Sequence, residues 1–85
     1  VVWAKNHQGR ITGVLVERGM QGFSTHTIQK KWSLRASLTG ELVFDDVYIP
    51  AENILIGKDG LGAPLMCLDK ARYGIAWGAI GAAEA

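Results

Sequence analysis

Through residues 1–56 the apolar positions come in short blocks broken by Gly, Asn and charged residues, whereas from Ala63 onward they form one long block. Short blocks with turn signals predict strands and the long block predicts a helix. Val1–Ala4 and Ile11–Val16 flank the turn cluster Asn6-His7-Gln8-Gly9 and predict a β-hairpin. Ile11, Val14 and Val16 with Leu15 among them predict a strand covered on both faces for part of its length, and Gly13 marks a bulge. Phe23–Gln29 follows the loop Arg18–Gly22 with the β-branched and aromatic content of a third strand. Glu41–Pro50 is the clearest strand. Its apolar parity changes between Leu42/Phe44 and Val47/Ile49, which predicts a bulge at Asp45-Asp46. Glu52–Ile56 then reads as a crossover, Gly57–Gly62 as a loop, and Ala63-Pro64 as a helix first turn, where proline's absent amide costs little.

The helix carries three charges, Asp69, Lys70 and Arg72, on one turn, and Tyr73–Ala83 then contains none. Asp69 and Arg72 are three apart and share a face, while Lys70 points elsewhere. Gly74, Gly78 and Gly81 each cost roughly 1 kcal/mol relative to Ala in a helix interior. A helix of this composition is expected to be buried nearly all round, with neighbouring backbones close against the glycines.

The 85 residues, net charge of +1 and 48% hydrophobic content describe a globular chain of at most one small domain. No basic run points to a nucleic-acid or membrane-surface partner. The charge-free run is too short for a bilayer span of about 20 residues. Val1-Val2-Trp3 begins in mid-strand and resembles no signal peptide, so the chain reads as a fragment. The single Cys67 makes no internal disulfide and is expected in the core.

Among candidate chemical groups, His7 and His26 are isolated and are expected on the surface or a strand face, with no metal-ligand spacing. Adjacent strand residues point to opposite faces, so Asp45-Asp46 does not converge on one atom as a general acid/base or metal pair. Gly57–Gly62 lacks the Gly-Lys-Ser/Thr ending of a P-loop. Lys30, Lys31 and Arg35 admit an anion-site reading, with a solvated or inter-subunit edge as the favoured alternative.

Ala71-Arg72-Tyr73-Gly74-Ile75-Ala76-Trp77-Gly78, preceded by Lys31, Arg35 and Ser37, the run Val43–Pro50 and Glu52-Asn53, resembles the acyl-CoA dehydrogenase family over essentially the whole chain. Ser33 stands where most members have glycine, and Ser33–Ser37 is similar to the glutaryl-CoA branch of that family, as is Ala71–Gly78. The resemblance implies an α+β fragment. Residues 1–56 would belong to the antiparallel middle β-domain, and residues 57–85 would form a loop and the first helix of the C-terminal helical bundle. It further implies an FAD enzyme that oxidatively decarboxylates glutaryl-CoA to crotonyl-CoA, passing a hydride to the flavin. Electron-transfer flavoprotein would be the acceptor and a homotetramer the assembly, in a bacterial cytoplasm or a mitochondrial matrix.

By the same resemblance, the catalytic base and the flavin contacts lie outside these residues, and the chain alone is expected to be inactive. What it would contribute is part of the acyl-CoA channel: Leu65, Met66, Cys67, Leu68, Asp69, Lys70, Ala71 and Arg72. Leu65, Met66 and Leu68 suit a pantetheine arm, and Asp69 and Arg72 suit its amides or a phosphate. Read from the residues alone, Asp69 and Arg72 make only a local ion pair. The rival reading from another class is a non-catalytic β-module whose apolar terminal helix docks a partner protein.

Overall fold

A computed structural model describes residues 1–85 as two small antiparallel sheets followed by one long helix. Strands β1 (Val2–Lys5) and β2 (Ile11–Val14) form the expected hairpin, with Val2 opposite Val14 and Lys5 opposite Ile11. Asn6 shapes its turn: its Oδ1 accepts from the amides of Gln8 and Arg10, and its Nδ2 donates to Thr12 Oγ1. This is the Asx-turn chemistry for which asparagine is favoured in loops.

Strand β3 (Phe23–Thr27) pairs in register with β4 (Gly40–Phe44), and the rings of Phe23 and Phe44, directly opposite, stack at 5.1 Å. The bulge expected at Asp45-Asp46 does not form, because the strand ends at Phe44. The Asp45 amide donates to Gly22 O, after which Asp46 turns into the left-handed region at φ 47° and leaves the ladder. Gly22 is required at this point. It has φ +83°, and a Cβ there would collide with the Asp45 carbonyl.

The crossover expected over Glu52–Ile56, and part of the loop expected over Gly57–Gly62, instead make a 3₁₀ turn (Ala51–Asn53) and a fifth strand, β5 (Ile54–Asp59). β5 pairs antiparallel with β2 and completes the order β1-β2-β5. The ladder irregularity expected at Gly13 is present in that pairing. Thr12 faces Asp59 and Val14 faces Ile54, so several β5 residues oppose a single position. Gly13 is buried, and a Cβ on it would come within 2.8 Å of both the Trp3 ring and the Leu55 side chain.

Only Gly13, Thr12 and Asn53 are buried, and no hydrophobic side chain is. Asn53 therefore acts as the polar pin of the three-stranded sheet. Its Nδ2 donates to Leu15 O and Glu17 Oε1, and its carbonyl accepts from the Leu15 amide. Asn53→Ala removes the side-chain bonds, each worth about 1 kcal/mol, and leaves the Leu15 carbonyl short of a partner. Amide exchange at Leu15 is expected to accelerate about fivefold, read by hydrogen exchange against an unchanged rate at Thr25 in the other sheet.

Helix α1 (Gly62–Glu84) begins within a residue of the expected position, with Pro64 inside its first turn. It has no buried residue and touches the rest of the chain mainly at β5. The expectation of a helix buried on all sides is thus not met within these residues, since no other element lies along it. Nothing approaches within 4 Å of the Cβ direction of Gly74, Gly78 or Gly81. Cys67, expected in the core, is exposed for the same reason. No helix is long and apolar enough to cross a membrane.

Candidate functional site

Helical geometry sorts the candidate segment Leu65–Arg72, because eight consecutive residues face every direction around the axis. Leu68, Ala71, Arg72, Ile75 and Ala76 recur at the spacing of one face, and they line one shallow apolar concavity. Asp69 adjoins that face and its Oδ1 pairs with Arg72 Nη1. Leu65, one turn before Asp69, continues the same side. Met66, Cys67 and Lys70 occupy the other flanks of the helix.

The Asp69–Arg72 pair is solvent-exposed, with about two-thirds of each side chain accessible. An exposed pair of this kind contributes ~0–1 kcal/mol to stability, and salt screens it. Its chemical value lies elsewhere: the carboxylate orients the guanidinium, whose remaining N–H groups stay free to donate beside an apolar surface. The edge-on contact of Tyr73 with Trp77, centroids 6.5 Å apart, covers another flank one turn further along.

The other sequence candidates separate clearly. His7, His26, Asp45 and Asp46 are all exposed, and no group of His, Cys, Asp and Glu is placed to hold a metal ion. Lys31 is occupied by its own loop. Its Nζ donates to the carbonyls of Leu34 and Ser37 and to Thr39 Oγ1, and its carbonyl accepts from Arg35 Nε. This role for Lys31 was not foreseen from the sequence, although the run Lys31–Thr39, dense in small and hydroxylic residues, held the signal: a long cation followed by carbonyl-presenting turns.

One further polar cluster ties the first hairpin to β5. Thr12 Oγ1 lies 3.5 Å from Asp59 Oδ1, Arg10 Nη2 lies 3.6 Å from Asp59 Oδ2, and the Gly60 amide donates to Ile11 O. These contacts hold the start of α1 near the sheet.

No protein-family model matches the chain. Curated proteins do. The chain is 46% identical over 76 residues to the short-chain specific acyl-CoA dehydrogenase of Clostridium acetobutylicum, an alignment covering 87% of this chain and 20% of that protein. It is 41% identical over 76 residues to the acryloyl-CoA reductase (NADH) of Anaerotignum propionicum, covering 87% and 19%. It is 43% identical over 77 residues to the mitochondrial isovaleryl-CoA dehydrogenase of Oryza sativa subsp. japonica, covering 88% and 19%. The chain therefore spans about one-fifth of the length of the curated relatives it matches.

Acyl-CoA dehydrogenases are generally FAD-dependent, and the residues here do not by themselves fit a flavin. The concavities are open to solvent, and no buried side-chain nitrogen or oxygen lacks a partner that a flavin would satisfy. Sheets, helix and an ion pair beside an apolar stripe are what this segment holds, and in sequence it is homologous to a segment of the acyl-CoA dehydrogenases.

Proposed function

We propose that the chain is a segment of an FAD-dependent acyl-CoA dehydrogenase that converts glutaryl-CoA to crotonyl-CoA and carbon dioxide. In this reading residues 1–56 belong to a middle β-domain, residues 57–85 open a C-terminal helical domain, and Leu65–Arg72 line the acyl-CoA channel. The observation that supports it most directly is the Asp69–Arg72 pair set against the apolar stripe of Leu68, Ala71 and Ile75. The stripe suits a pantetheine arm, and the oriented guanidinium suits amide or phosphate oxygens at its edge. Flavin and catalytic base are left to residues beyond this segment. Electron-transfer flavoprotein as acceptor, a homotetrameric assembly, and a bacterial cytoplasm or mitochondrial matrix as the site of action complete the proposal.

The direct test is the longer protein assayed with glutaryl-CoA, butyryl-CoA and isovaleryl-CoA in parallel. Crotonyl-CoA formed from glutaryl-CoA with release of carbon dioxide supports the glutaryl reading; efficient oxidation of butyryl- or isovaleryl-CoA without turnover of glutaryl-CoA overturns it. The 85-residue chain alone is expected to retain no flavin and to reduce no acceptor with glutaryl-CoA. Stoichiometric yellow flavin on the purified chain, seen by absorbance, rejects this division of labour.

A second reading is favoured by one observation, the exposure of α1 on all sides. Such a helix also suits a non-catalytic β-module that docks a partner protein. Continuing the sequence past Ala85 separates the two: further helices and a distal Glu-Gly-Thr stretch support the enzyme, and their absence supports the module.

A further inference from the structure

The loop joining β3 to β4 holds a concavity of about 320 Å³ lined by Ile28, Lys30, Lys31, Arg35 and Leu38, among others, and no carboxylate lies on its wall. Lys31 is fixed by its bonds to two carbonyls and a hydroxyl, so its charge is held in place by dipoles and without a counter-ion. Arg35 spends only Nε on the Lys31 carbonyl, leaving its terminal nitrogens free, and Lys30 has no acidic partner. By contrast, Arg10 and Arg72 are each paired with an aspartate.

The loop is also shaped in advance. Lys30 and Leu34 both sit in the left-handed region, at φ 57° and 51°, which is costly for residues with a Cβ, and the Lys31 bonds close the turn that contains Leu34. Three like charges drawn into one short loop repel one another, and an anion placed among them relieves that repulsion.

We propose that the concavity between Lys30 and Arg35 is a binding site for a compact multivalent oxyanion of the phosphate or diphosphate class. Arg35 would supply a planar fork to two oxygens, Lys30 a point charge, and Lys31 an immobile charge behind them. Ile28 and Leu38, each at least half exposed at the rim, would leave an apolar surface for whatever the phosphate is attached to.

The test is titration of the full chain with inorganic pyrophosphate at low ionic strength, followed by backbone amide chemical shifts. The expected result is saturable binding with shifts confined to residues 27–39, weakened about tenfold between 20 and 200 mM salt as exposed charges are screened. Lys30→Gln combined with Arg35→Gln is expected to weaken binding at least tenfold, Arg35→Lys about threefold, and Arg10→Gln not at all. Circular dichroism of each variant checks that its secondary structure is unchanged. If Arg35→Gln alters the loop, Lys30→Gln alone, which removes none of the loop's hydrogen bonds, must still weaken binding. Failure to saturate, shifts spread over every cation of the chain, or equal affinity in the Lys30→Gln variant overturns the proposal.

Discussion

Heating the 85-residue chain is expected to produce a gradual loss of structure with no cooperative transition. Cooperativity comes from a shared core whose parts stabilise one another, and here no hydrophobic side chain is buried. The accessible surface is 7320 Å², against roughly 4,900 Å² for a compact monomer of this mass. The radius of gyration, 16.3 Å, exceeds the ~12 Å of a compact chain of this length by about a third. What holds the pieces is local: ladder hydrogen bonds, the Asn53 pin, the Phe23–Phe44 stack and the Lys31 loop. Each opens without requiring the others to open. Helix α1 should lose ellipticity first and over the widest temperature range, because three glycines weaken it and almost nothing packs on it. Far-UV circular dichroism of the monomeric chain checks this, with hydrogen exchange to separate the two sheets from the helix. A single sharp and reversible transition shared by all three elements would sink the idea.

The local elements were legible in the sequence wherever local chemistry decides them. The Asn6–Gly9 turn, the Ile11 strand, the strand from Phe23 and the first turn of α1 around Pro64 all rest on residues that specify their own backbone. Legibility failed where the partner decides. Ile54–Ile56 reads as the end of a crossover and Gly57–Asp59 as the start of a loop, yet together they become β5 because β2 offers them an open edge and Asn53 fastens their start. Conversely, Val47–Ile49 has strand composition and is not a strand, because β3 has no residue left to pair with it once Gly22 has accepted from Asp45. Burial of α1 was inferred from its composition, and composition records what a helix is suited to rather than what lies beside it.

The candidate site was legible to a similar depth. The i,i+3 spacing of Asp69 and Arg72 foretold their pairing, and the helical period places Leu68 and Ala71 beside them. Lys31 shows the limit of that approach. A cation in a polar run reads as a solvated charge, and only the folded loop shows three oxygens converging on it.

Arg72→Ala in the longer protein proposed above is expected to lower kcat/KM for its acyl-CoA substrate by about tenfold or more, a loss of roughly 1.4 kcal/mol or more in transition-state stabilisation. The expectation rests on a guanidinium oriented by Asp69 at the edge of the Leu68, Ala71 and Ile75 stripe, on a helix with no later cation. Stability alone does not produce an effect of that size. The pair is largely exposed in this structure and contributes ~0–1 kcal/mol. A charge-assisted bond to a substrate oxygen, in a channel from which water is excluded, is worth ~1.5–3 kcal/mol and is lost entirely in the alanine variant. Arg72→Lys retains the charge but not the planar fork that both Asp69 and a substrate oxygen share, so it should recover little of the activity. Asp69→Asn gives the complementary reading: it leaves the guanidinium in place but loosens its orientation, and its loss should be smaller than that of Arg72→Ala. Flavin absorbance per protein should stay unchanged in all three, which separates a role in substrate binding from a collapse of the fold. Wild-type kinetics in Arg72→Ala with the fold intact would reduce the pair to a surface contact and remove the observation on which the acyl-CoA reading of this helix most depends.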